Sequence, residues 1–103
     1  MDTHQSQRSI SDQHPSLPGH FPGNPVVPGV VILDEVIHAL LEWQPQLHVQ
    51  GFNTVKFLQP LLPNETFSIE FTHNKSDRMK FECKKKQSVF ASGLIYLGMA
   101  ADE

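Results

Sequence analysis

PSLPGHFPGNPVVPGVVILDEVIHALLEW, residues 15–43, changes character at Gly29. Up to that point Pro15, Pro18, Pro22, Pro25 and Pro28, interleaved with Gly19, Gly23 and Gly29, forbid both a helix and a regular strand. Each proline removes an amide donor and restricts the residue before it, and each glycine tolerates backbone conformations that other residues avoid. The composition predicts a loop of fixed shape, and such loops often carry function. From Val30 to Trp43 the chain then has helical length and meets no breaker until Pro45, which predicts one long apolar helix.

Four β-rich runs follow: LHVQGFNTVKFL (47–58), ETFSIEFTH (65–73), MKFECK (79–84) and SVFASGLIYLG (88–98). They are parted by QPLLPN, NKSDR and KKQ, which supply turn residues. In the second run Phe67, Ile69 and Phe71 alternate with Ser68, Glu70 and Thr72, so one face is apolar and the other polar. The polar residues 1–16 offer one short candidate strand near Gln7 to Asp12. A long helix followed by strands is an α+β order, in which an antiparallel sheet can wrap the helix and bury nearly all its sides.

At 103 residues the chain is expected to form one domain, residues 1–103. A domain of this size buries roughly two-thirds of its unfolded surface, so a partner covering more apolar area is expected before any motif is read. With 39% hydrophobic and 18% charged residues the composition fits a folded domain, and a net charge of −3 gives no basis for nucleic acid binding. Cys83 is the only cysteine, so no intrachain disulfide can form, and no Cys/His cluster has zinc-site spacing. The N-terminus lacks the apolar core of a signal peptide, and no apolar run reaches the roughly 18 residues that span a bilayer. A cytoplasmic protein with no membrane partner is expected.

On a helical wheel at about 100° per residue, Val30, Leu33, Ile37, Leu40 and Leu41 cluster on one side. Asp34 falls at roughly 40° beside Val30 and Leu41, whereas Glu35 falls near 140° beside Glu42 on the more polar side. A carboxylate pressed among aliphatic side chains loses hydration, which favours the neutral form that a general acid needs. The competing explanation is that Asp34 answers the helix dipole or that its face meets water. His20, in a loop leading straight into the helix of Asp34, could face the same pocket; a histidine in such a loop can equally be a surface residue. Gly29 stands where unpaired backbone amides and the dipole meet any bound oxygen, or it merely eases the turn from Pro28.

GHFPGNPVVPGVVILD, residues 19–34, resembles the active-site signature of the FabA/FabZ-type 3-hydroxyacyl-acyl-carrier-protein dehydratases. A histidine followed by Phe-Pro-Gly, a Pro-Val-Val-Pro-Gly turn and an acid fourteen positions after the histidine make a specific match. VKFLQPLLPNETFSIEF, residues 55–71, resembles that family's strand, proline turn and strand. The sequence joins the HFPG form of the FabZ branch to the aspartate of the FabA branch, and its N-terminal stretch is short. In both respects it is similar to the small ApeI-like dehydratases of aryl-polyene pigment clusters.

The resemblance implies a hot-dog fold, an antiparallel sheet wrapped round one long central helix, with two protomers joined edge to edge and sharing active sites. It implies that His20 is the base, Asp34 of the partner chain the acid, and the Gly29 amide the donor to the thioester carbonyl, with Phe21, Pro28 and Val30 lining the acyl site. It implies no metal and no cofactor. The partner would be an acyl carrier protein bearing a 3-hydroxyacyl chain, and the assembly a homodimer, a hexamer of three dimers, or a heteromer. Carrier proteins are acidic, and Lys75, Arg78, Lys80, Lys84, Lys85 and Lys86 form a basic run in which Lys84 and Lys86 are the docking candidates; solvated hairpin ends are the plain alternative. Two rival functions are a hot-dog thioesterase, which would release free thiol, and a non-catalytic acyl-binding subunit of a heteromeric dehydratase.

Overall fold

The computed structural model describes residues 3–13 and 26–98. Its elements run in the order β1 (Thr3–Arg8), α1 (Gly29–Trp43), β2 (His48–Phe57), β3 (Phe67–Lys75), β4 (Arg78–Lys85) and β5 (Ser88–Gly98). The strands form one antiparallel sheet ordered β1-β3-β4-β5-β2, which leaves β1 and β2 as its edges. The helix and the four downstream strands lie close to their expected bounds. The first strand is displaced from Gln7–Asp12 to Thr3–Arg8. Its partly buried side chains are His4, Ser6 and Arg8, which are polar, so no hydrophobic alternation marked it.

The core joins Val31, Ile32, Val36, Ala39 and Leu40 of α1 to one face of the sheet. That face carries Phe67, Ile69 and Phe71 of β3 and Met79, Phe81 and Cys83 of β4, as alternation requires. In β5 the alternation changes phase. Cys83 pairs with Ala91 but Lys84 pairs with Val89, so Phe90 is the extra residue of a bulge, and Phe90 and Ala91 are both buried. Burial pushes the Cys83 thiol up to about 12, so at neutral pH it is a small hydrophobe and no nucleophile.

The sheet takes only one side of the helix. The buried residues centre roughly 205° from Val30 on the wheel, about 125° round from the centre of the aliphatic cluster of Val30, Leu33, Ile37, Leu40 and Leu41. Of that cluster Leu40 alone is buried, and Val30 is 73% exposed. The expectation that the sheet buries nearly all sides of α1 is corrected accordingly: the apolar surface of the helix is broad, and one sheet layer can contact only part of its circumference. The polar flank is gripped by β1. Arg8 Nη1 donates to Glu35 Oε2 at 2.9 Å and Nη2 donates to the Glu42 carboxylate, while His4 stacks on Trp43 with centroids 4.6 Å apart.

The segment between β2 and β3 returns to the start of the helix. Leu58 N–H donates to Phe90 O at 2.7 Å and Val27 N–H to Leu61 O at 2.8 Å, and Leu61 is fully buried. Glu65 closes the turn by accepting from Leu62 N–H at 2.9 Å and Lys85 Nζ at 3.2 Å. The Leu62 amide, with help from Lys85, holds the Glu65 carboxyl below its ordinary range.

Candidate active site

Pro28 caps α1 with an extended backbone and no side-chain hydrogen bond, and the first turn holds no acidic residue. The first helical hydrogen bonds run from Val31 N–H at 3.0 Å and Ile32 N–H at 3.3 Å to Pro28 O. The amides of Gly29 and Val30 therefore have no acceptor within the helix, at the end where the dipole is positive. Such a terminus can receive an oxygen that gains negative charge.

Beside it lies an apolar cavity of 330 Å³ lined by Gly29 and Ile32 of the helix, Val26 and Val27 before it, and Phe57 to Leu61 from the end of β2. A Cβ added at Gly29 would fall 2.9 Å from two atoms of the Phe57 ring. Glycine thus allows the exposed Phe57 ring to lie against the helix start, where a Cβ would push the ring aside. Phe57 and Leu58, both exposed, were not among the residues singled out from sequence. Their signal was the VKFLQP passage, whose pattern gave a strand and a turn but not the direction in which its end points.

Asp34 stands elsewhere on the helix. Its side chain is 61% exposed, and His38 Nε2 lies 4.0 Å from its Oδ2. The chain's own side chains therefore do not supply the aliphatic surroundings expected for Asp34; its face is open. The dipole explanation for the acid is also weakened, because Asp34 is the sixth residue of α1 and lies past the first turn. Glu35 contrasts with it, since it is committed to Arg8. Asp34, Val30 and His38 are all exposed, and Val30 and Asp34 lie four residues apart on one helical face.

His20 and Phe21 lie outside the described residues. The structure thus brings Gly29 to the wall of the cavity, leaves Pro28 as the helix cap, and sets Val30 and Asp34 on the uncovered helix face. Among the described residues no group of three or more His, Cys, Asp or Glu side chains could hold a metal ion, and no helix is long and apolar enough to cross a membrane.

The basic run does not form a single patch. β4 carries Arg78 at one end and Lys84 and Lys85 at the other, some 20 Å apart at about 3.3 Å per residue. Lys80 pairs with Glu82 at 3.8 Å, Lys84 with Glu70 at 3.3 Å and Lys85 with Glu65 at 3.2 Å. Lys86, at φ 55° in the β4–β5 turn, has no ion-pair partner among the described residues. Lys84, Lys85 and Lys86 line a polar groove of 760 Å³ with Gln5 and Gln7 of β1 and Ser68 of β3.

A model of the ApeI-like family, described as ApeI dehydratase, matches residues 1–94. The 3-hydroxyacyl-[acyl-carrier-protein] dehydratase FabZ of Ehrlichia chaffeensis is 27% identical over an alignment covering 74% of this chain and 59% of that protein. This chain thus spans about three-fifths of the length of the curated relatives it matches. Among solved structures, the dehydratase heterocomplex ApeI:P from Xenorhabdus doucetiae is similar with a TM-score of 0.80 and 27% identity, covering 92% of this chain and 86% of that one. The fluoroacetyl-CoA-specific thioesterase FlK shares the fold alone, at a TM-score of 0.67 and 10% identity over 91% of this chain and 82% of that one. One antiparallel sheet with one long helix is the hot-dog architecture of these neighbours.

Proposed function

The chain belongs to the ApeI-like dehydratase family, and from that premise we propose that it removes water from 3-hydroxyacyl thioesters to give trans-2-enoyl thioesters. The observation that carries the reading is the uncovered face of α1. It presents a carboxylate, Asp34, on a different side of α1 from the apolar cavity beside the uncapped helix start, and two such chains placed face to face would bring together the parts that an acyl thioester elimination needs.

In this reaction His20 takes the C2 proton, the C3–O bond breaks as the electrons of the C2–H bond form the alkene, and the leaving hydroxyl takes a proton from Asp34 and departs as water. The Gly29 N–H stabilises charge on the thioester oxygen while the acyl chain lies against Phe57 and Leu61. Because Asp34 faces outward in one chain, we assign the acid to a site completed by a second chain. That chain's surface supplies the aliphatic surroundings that Asp34 lacks alone. The substrate arrives on an acyl carrier protein or coenzyme A. Glu70 and Glu65 cancel much of the charge at Lys84 and Lys85, so the groove at Lys84 and Lys86 is assigned an effect on encounter rate rather than on affinity.

The test is absorbance of the enoyl product from a 3-hydroxyacyl thioester. His20→Ala and Asp34→Asn should each lower turnover by about 10²- to 10⁴-fold. Free thiol in place of enoyl product would indicate a thioesterase. Product formed only after mixing with a second dehydratase-like chain would indicate a heteromeric site; the similar Xenorhabdus protein is part of a dehydratase heterocomplex.

A further inference from the structure

We propose that His38 is a positioning residue for Asp34, returning to it the proton that Asp34 gives to the leaving hydroxyl. The inference rests on the dehydratase reading of the same site. Asp34 and His38 are four residues apart on α1, which stacks their side chains on one face. Nε2 and Oδ2 are 4.0 Å apart, both side chains are 61% exposed, and a small side-chain rotation, fast for exposed groups, closes the gap to a hydrogen bond.

Among the described residues, the surroundings leave His38 no competing ion-pair partner. The other acids near it on the helix, Glu35 and Glu42, are both held by Arg8 of β1. His4 of β1 is stacked on Trp43, and β3 turns Phe67, Ile69 and Phe71 towards the helix side of the sheet. Among the described residues, Asp34 is the one ion-pair partner of His38 and His38 the one partner of Asp34.

Each turnover leaves one proton on His20 and takes one from Asp34. His20 can release its proton to water, but Asp34 must be reprotonated once a second chain and the substrate cover it. His38 lies one turn further along the helix, its backbone about 6 Å along the axis from that of Asp34 and away from the cavity at Gly29. Histidine is the side chain whose charge changes between about pH 5 and 8, so it can take a proton from water and pass it to a carboxylate under neutral conditions. One N–H bond breaks on the imidazolium, one O–H bond forms on Asp34, and no other reactant is consumed.

The experiment compares kcat and KM of the full chain, His38→Ala and His38→Gln on one 3-hydroxyacyl coenzyme A thioester, with and without added imidazole. Both variants should lower kcat about 10-fold with KM unchanged, and imidazole should restore the alanine variant. In an Asp34→Asn background, His38→Ala should cost nothing further. Full activity in either variant, or a loss that imidazole leaves in place, overturns the relay; an active His38→Gln would mean that orientation alone suffices. A wild-type chain without turnover, both alone and mixed with a second dehydratase-like chain, defeats the dehydratase reading itself, whereas normal turnover in both wild type and His38→Ala defeats only the relay.

Discussion

Adjacent acids on α1 have been given opposite work by the fold. Glu35 reaches Arg8 at 2.9 Å from a partly buried position, and Asp34 faces away from its own chain. Two variants should therefore separate stability from chemistry. Glu35→Gln should leave turnover near wild type and lower unfolding free energy by about 1 kcal/mol, since the pair is charge-assisted but still partly solvated. Asp34→Asn should do the reverse, losing turnover with little change in the urea midpoint. Equal loss of activity in both would reassign the acid. On the wheel the two were already distinguishable by their neighbours, yet the reason for the distinction was not: Arg8 lies in a polar strand whose pairing with β3 could not be read from hydrophobic periodicity.

At the scale of elements, the sheet depends on residues that only make sense in register. Gly93 is buried opposite Phe81, and a Cβ there would lie 2.9 Å from the Phe81 ring and 3.1 Å from Val55. Phe81 is itself fully buried and braced edge-on by Phe52 at 5.8 Å, so it cannot move aside freely. Gly93→Ala should destabilise the fold by about 1–3 kcal/mol through overpacking, measured as a lower urea midpoint with an unchanged slope. A stabilised variant would show that the ring has room after all. The run SVFASGLIYLG predicted a strand correctly, but the bulge at Phe90 that brings Gly93 inward arises from pairing with β4 and leaves no local mark.

For the whole molecule, the decisive feature is what one chain leaves uncovered. Val30, Phe57, Leu58 and Leu62 are exposed large hydrophobics, and β2 ends the sheet as an edge strand of ten residues. They are expected to be covered by a second chain, which would also complete the site. Sedimentation should show a dimer or larger species at micromolar concentration, with a melting temperature that rises with protein concentration. Val30→Asp should shift the protein towards monomer and abolish enoyl product together. A wild-type monomer with a concentration-independent melting temperature would remove the shared-site mechanism.

The sequence by itself determined the α+β order, the single helix stopped before Pro45, the four downstream strands and the candidacy of His20, Gly29 and Asp34. These rest on local physics: backbone restriction by proline and glycine, side-chain alternation, and a motif contiguous in the chain. Only the tertiary structure decided which part of a broad apolar helix surface is buried, that Arg8 claims Glu35 and Glu42, and that Phe57 lies over Gly29. Those outcomes depend on strand register and on which elements meet, and contacts between residues far apart in the chain leave no periodic trace in either partner alone.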